Sequence, residues 1–164
     1  MNYLLVVQAP CARVSDGTFA TESAFGEHLR LLRAKLGSRF DRMIVAAPML
    51  TASDYASRKG ELAHIDERSE GIEFLELHPV DARAREFWRR DARRVWRSLR
   101  EAARGSDVVH AGLSDDLFRP IMAMANAAGA LERKSVLFIV DIDFRADTER
   151  YRKAGLSSLK DYLA

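Results

Sequence analysis

Three groups of residues in this chain have types and spacings that could do chemistry. The first is His110 with the turn that follows it. Asp107-Val108-Val109-His110-Ala111 has the composition of a short buried strand, and Gly112 breaks it. Ser114-Asp115-Asp116 then offers capping oxygens and acidic first-turn residues to a new helix. A strand that stops at glycine and feeds a capped helix is the repeating joint of an open parallel sheet. Ligands of such sheets sit at the carboxyl ends of the strands, which makes His110, Gly112 and Asp115 candidate binding residues. The alternative for His110 is an imidazole satisfied by neighbouring backbone, and for Asp115 a helix-capping carboxylate.

The second group is Asp141-Ile142-Asp143, at the end of a further apolar strand. Two carboxylates after a buried strand can hold Mg²⁺ or Mn²⁺ against a phosphate, the chemistry of a small metal-dependent phosphatase or transferase. Asp143 as a water-facing turn residue is the alternative, and the sequence assigns no metal site and no cofactor. His28, His64, His78 and His110 show no metal-ligand spacing.

The third group surrounds the first strand–loop–helix joint. Its loop offers Gly17, and Gly26 already lies inside the predicted helix. Neither G-x-G-x-x-G nor G-x-x-x-x-G-K-[ST] occurs, which disfavours NAD and ATP cradling of the usual kinds. Thr21 is a predicted cap for that helix, and free amides at Ser23 and Ala24 could meet an anion. Gly17, Thr21, Ser23 and Ala24 are therefore candidate cofactor-side binding residues, with an ordinary capped helix as the alternative. Cys11 follows the first strand, where a nucleophile could stand. A cysteine phosphatase needs an arginine six positions on, and Gly17 stands there. A free loop thiol fits Cys11 better.

These residues need a scaffold, and the hydrophobic pattern supplies one. Continuous apolar runs at Tyr3–Val7, Met43–Ala47 and Ser135–Val140 suit strands buried on both faces. Ile72–Leu77 alternates and predicts a strand nearer an edge. Helices are predicted from Glu22 to Leu36, from Asp81 to Arg104, through Ile121 to Gly129, and in the tail from Ala146. Gln8 to Ala20 reads as a long loop, and Thr51 to Gly71 as an insertion with at most a short helix. Strands alternating with helices predict one α/β, Rossmann-like, three-layer domain over residues 1–164, with a mostly parallel sheet of about five or more strands.

Hydrophobic content of 48% and charge of 30% are those of a soluble globular protein. A single cysteine excludes an intrachain disulfide and points to a reducing compartment. The N-terminus lacks a basic n-region, and its apolar run is too short for a signal peptide or a span. A cytoplasmic protein is expected. The net charge of +2 is unevenly spread, because residues 83–104 carry nine arginines against three acids. The wheel puts Arg89, Arg93, Arg97, Arg100 and Arg104 on one face. Opposite lies a stripe of Ala84, Trp88, Ala92, Val95, Leu99 and Ala102 expected to be buried, with Phe87 and Trp96 at the flanks. Such a helix suits an anionic membrane surface, here the inner face. A solvated face with Glu86–Arg90 and Arg97–Glu101 pairs is the alternative. No nucleic-acid-binding motif accompanies the charge, and nucleic acid is not expected as a partner.

In three places the chain resembles the N-terminal domain of a family 4 glycosyltransferase, of the two-Rossmann B-type fold. Asp107–Ala111 matches the D-V-V-H-A-H signature of the family's fourth strand. Glu22 to Leu36 resembles its G-G-x-E-x-H-x-x-x-L-A-x-x-L helix, with His28, Leu32 and Leu36 in register. Val136–Val140 followed by Asp141 resembles the strand that ends in H-D. Ser23-Ala24 stand where the family has its glycine pair, Gly112 where it has a second histidine, and Asp141 where a histidine contacts the transferred sugar. The resemblance implies an acceptor-binding half of an enzyme that takes sugar from a nucleotide-sugar donor and passes it to a sugar or lipid acceptor. His110 and Asp141 would orient sugar hydroxyls, and amides at Ser23 and Ala24 would lie near the diphosphate. The donor half carries two glutamates seven residues apart, a spacing this sequence lacks, so a C-terminal domain or partner subunit is implied and this half alone should transfer no sugar. The alternative from another class is a non-catalytic Rossmann-like module that binds a partner protein.

Overall fold

The apolar run at the N-terminus forms strand β1 (Asn2–Val6), whose successive side chains leave toward opposite faces of a sheet. Leu4 and Val6 enter one core, Tyr3 and Leu5 the other. The computed structural model describes residues 1–112 and 118–139. After β1 come β2 (Cys11–Ser15), β3 (Thr18–Glu22), α1 (Ser23–Leu36), β4 (Arg42–Met49), α2 (Ala52–Arg58), β5 (Leu62–Asp66), α3 (Glu67–Glu70) and β6 (Ile72–Pro79). A long helix follows, built from α4 (Ala84–Glu86), a π-turn (Phe87–Asp91) and α5 (Ala92–Arg104). β7 (Val108–Gly112), α6 (Ile121–Leu131) and β8 (Ser135–Ile139) complete the described elements.

The fold is α/β and Rossmann-like, with an eight-stranded, mostly parallel sheet between layers. Its parallel part runs β6-β4-β1-β7-β8. Chain order reverses between β1 and β7, which makes the carboxyl ends of those two strands the topological switch point. One face is covered by Val95, Leu99 and Ala103 of α5 and by Ile121, Ala125 and Ala128 of α6. Over the other face Leu29 of α1 shares a core with Cys11, Phe19 and Ile65. Helix α6 lies so close to the sheet that Gly129 admits no side chain. A Cβ there would meet Val136 Cγ2 at 2.9 Å and Val109 Cβ at 3.2 Å.

Two stretches expected to be irregular are ordered structure. Gln8 to Ala20 contains most of a β-hairpin, in which β2 and β3 pair antiparallel and Gly17 takes a left-handed φ of 76° at the turn. The Asp16-Gly17 pair is a hairpin signal that the loop assignment passed over. Thr51 to Gly71 holds α2, β5 and α3, and β5 extends the hairpin by pairing antiparallel with β3. Ile72–Pro79 lies at the end of the parallel run, paired with β4 alone among the described residues, as its alternation implied.

The free edge of β6 is closed by side chains from that antiparallel unit. Glu67 Oε1 accepts the Phe74 amide at 2.6 Å, and Arg13 Nη2 donates to the Phe74 carbonyl at 3.0 Å. Arg13 and Glu67 also pair with each other at 2.8 Å. One ion pair thus satisfies both backbone groups of an edge residue, which would otherwise invite another strand.

The long helix begins at Ala84, and its buried stripe is not the one its sequence suggests. Ala92 N–H donates to the Phe87 carbonyl, five residues back, so one extra residue is inserted in that turn. Downstream of the turn, Ala92, Val95, Leu99 and Ala103 face the core. Upstream the phase slips by one position: Phe87 is fully buried, and Trp88, expected inside, is 55% exposed. Among the described residues no helix is long and apolar enough to cross a membrane.

Candidate functional site

Near their carboxyl ends strands β4 and β6 each carry a proline, Pro48 before the last residue of β4 and Pro79 at the end of β6, which cannot donate to a ladder. Beside these ends, residues from four elements line one small cleft: Gln8 after β1, Pro48 of β4, His78 and Val80 at the end of β6, and Arg119 and Ile121 at the start of α6. Arg119 holds the cleft together by donating through Nη1 to the carbonyls of Val80 and Ala82.

His78 is the ionisable group enclosed here. Its ring is 3% exposed and meets Phe87 edge-on at 5.1 Å. Burial pushes its pKa below the ordinary imidazole value, and the nearby Arg119 guanidinium acts in the same direction. The ring is therefore neutral near pH 7. Nδ1 lies 2.8 Å from the Pro79 carbonyl, which only accepts, so Nδ1 carries the proton and Nε2 is left as the acceptor. At the exit of β7, Asn126 Nδ2 donates to the Gly112 carbonyl at 3.3 Å. Asn126 Oδ1 is buried with no partner among the described residues. The polar groups that line the cleft are thus the His78 imidazole, the Gln8 amide and the Arg119 guanidinium, beside the apolar Pro48, Val80 and Ile121.

His110 is placed differently from its sequence expectation. It stands inside β7 rather than at its tip, paired with Leu5 of β1 in the parallel register. Its Nδ1 lies 2.5 Å from the Tyr3 hydroxyl, and the two rings meet edge-on at 5.8 Å. Gly112 is the last residue of β7, in register with Ile139. Asp115, Asp141 and Asp143 lie outside the described residues.

The candidates of the first joint are not gathered at one point. Thr21 is a buried strand residue, not the helix cap; its hydroxyl donates to the Pro10 carbonyl at 3.2 Å. Glu22 occupies the cap position without a side-chain cap bond. Ser23 ties the helix start to the neighbouring turn by donating to the Glu61 carbonyl at 2.6 Å, and Ala24 beside it is exposed. Gly17 sits at the other end of β3, roughly 16 Å away at ordinary strand rise, where its carbonyl accepts the Glu67 amide. Cys11 is fully buried, and burial pushes its thiol up to about 12, which removes it as a nucleophile near neutral pH. Among the described residues no group of three or more His, Cys, Asp or Glu side chains could hold a metal ion.

His78 and Arg119 escaped the sequence analysis because their contacts are long-range. A local signal existed for both, since each precedes a proline at an element boundary, His78-Pro79 and Arg119-Pro120. The fold is that of a Rossmann-like α/β protein with a small cleft of mixed polar and apolar lining beside the carboxyl ends of β4 and β6. No family model, no curated protein and no solved structure matches the chain.

Proposed function

We propose that this chain is the acceptor-binding, N-terminal domain of a glycosyltransferase of the two-Rossmann B-type, acting with a nucleotide-binding half that holds the sugar donor. The observation that supports this most is the cleft at the carboxyl edge, with His78 presenting an acceptor nitrogen beside the donor groups of Arg119 and Gln8. Alternating donors and acceptors suit a polyhydroxylated ligand, whose hydroxyls both give and take hydrogen bonds. The parallel order β6-β4-β1-β7-β8 is that of a doubly wound, Rossmann-like sheet and agrees with the order of the resembling motifs. His78 takes the hydroxyl-orienting part that the resemblance gave to His110. In this role it binds and positions an acceptor hydroxyl; the leaving diphosphate is stabilised by the other half.

Calorimetric titration of the chain tests the assignment. Sugar acceptors from a panel of mono- and oligosaccharides are expected to bind weakly, and UDP- and GDP-sugars not measurably. Micromolar binding of a nucleotide sugar to this chain would place the donor site here and contradict the assignment.

A further inference from the structure

The outward face of the long helix has no counterpart in the cleft and lies on a different side of the domain. Arg93, Trp96, Arg97, Arg100, Glu101 and Arg104 line one open groove along α5. Neutralisation of this face is partial. Glu132 of α6 accepts from Arg100 at 2.6 Å and from Arg104 at 3.2 Å, so a single carboxylate serves two guanidiniums. Asp91 is taken by Arg94 at 2.9 Å. The Glu86–Arg90 and Arg97–Glu101 pairs expected from spacing do not form, and Arg89, Arg93 and Arg97 make no ion pair among the described residues. Residues 83–104 carry a net +6, and the rest of the chain a net −4.

The π-turn adds an apolar element to this charge. By slipping the phase it turns Trp88 outward, 55% exposed, near the end of the arginine row, with only its edge contact to Phe87 at 5.5 Å. From Trp88 to Arg104 the helix runs about 25 Å at ordinary rise. We infer that this face docks the protein on an anionic lipid bilayer, the arginines meeting lipid phosphates and Trp88 entering the headgroup boundary. The apolar face of α5 is taken up by the core, so docking rests on the basic row meeting anionic headgroups and on one indole able to sit at the headgroup level. Nucleic acid fits less well, because a polyanion that wraps the domain would meet the net negative remainder, whereas a bilayer touches one face.

Vesicle flotation of the full chain tests this inference, with phosphatidylcholine vesicles against vesicles holding about a third phosphatidylglycerol. Binding is expected on the anionic vesicles alone, with a blue shift of indole fluorescence, and release at about 1 M salt, where the screening length is near 3 Å. The double substitution Arg93→Glu with Arg97→Glu is expected to weaken binding at least about tenfold, and Arg93→Gln with Arg97→Gln severalfold. Lys35→Glu with Arg39→Glu, exposed on the opposite side of the sheet and equal in charge change to the first pair, should keep binding within about twofold. Trp88→Ala should reduce the blue shift. Equal binding to neutral vesicles, equal loss in the Lys35 and Arg39 control, or tighter binding to a duplex RNA than to anionic vesicles would overturn the inference.

Discussion

The Tyr3 hydroxyl and His110 Nδ1 lie 2.5 Å apart and join β1 to β7 across the point where strand order reverses. Burial raises the Tyr3 pKa, so its hydroxyl stays protonated, and the direction of the bond it shares with His110 follows the imidazole tautomer. Tyr3→Phe removes this buried hydrogen bond between the two strands, which should cost about 1 kcal/mol in urea unfolding. The same substitution should change the imidazole tautomer signature of His110 in nitrogen-15 spectra, which a purely packing effect would leave alone.

The Arg13–Glu67 pair should matter more than a surface salt bridge, because both residues also hold the backbone of Phe74. Glu67→Ala strands a backbone amide and one guanidinium partner, and a loss of about 1–3 kcal/mol is expected. Hydrogen exchange locates the effect: the Phe74 amide should exchange faster in Glu67→Ala, with the amides of β1 protected as before relative to global stability.

The π-turn reverses the roles that a regular helical wheel gives to neighbouring aromatics. Phe87→Ala should cost about 3–5 kcal/mol, the price of emptying a buried aromatic site. Trp88→Ala should cost less than about 1.5 kcal/mol, the scale of its edge contact with Phe87. Denaturant midpoints of the two variants check the order, and the regular wheel expects the opposite.

His78 makes stability depend on pH in a definite direction. Its folded pKa lies below the ordinary 6.5, so as pH falls through 6.5 the unfolded chain takes up a proton that the folded chain does not. Stability therefore declines below 6.5, before carboxylates with ordinary values of 3.8 and 4.5 begin to titrate. His78→Gln should flatten that part of the profile. Melting temperatures measured from neutral pH down to the upper edge of the carboxylate range provide the comparison.

The parallel sheet was legible in the sequence because its strands are written locally. Tyr3–Val6 and Met43–Ala47 are apolar on both sides, Val108–Ala111 is so but for His110, and each lies in the strand expected. The hairpin was missed because β2 and β3 are short and carry polar residues such as Arg13, Ser15, Thr18 and Thr21, with only Asp16-Gly17 to mark the turn. The helix stripe was misjudged because a π-turn has no signature in spacing; only its consequence, Phe87 inside and Trp88 outside, reveals it. The cleft lies beside the carboxyl ends of β4 and β6, whereas the sequence reading drew its candidates from other strand–helix joints. His78 and Arg119 are far apart in sequence and meet only in the folded chain, so no local pattern pairs them.

The assignment of the cleft as an acceptor site is tested most directly by imidazole and guanidinium NMR of the labelled chain during saccharide titration. A sugar acceptor should shift the His78 ring and Arg119 signals, leave those of Arg13 and Arg42 on the far edge unchanged, and lose its effect in His78→Gln. Saccharide binding that moves signals elsewhere and leaves His78 and Arg119 untouched, or a nucleoside diphosphate that shifts them on its own at micromolar concentration, would contradict it.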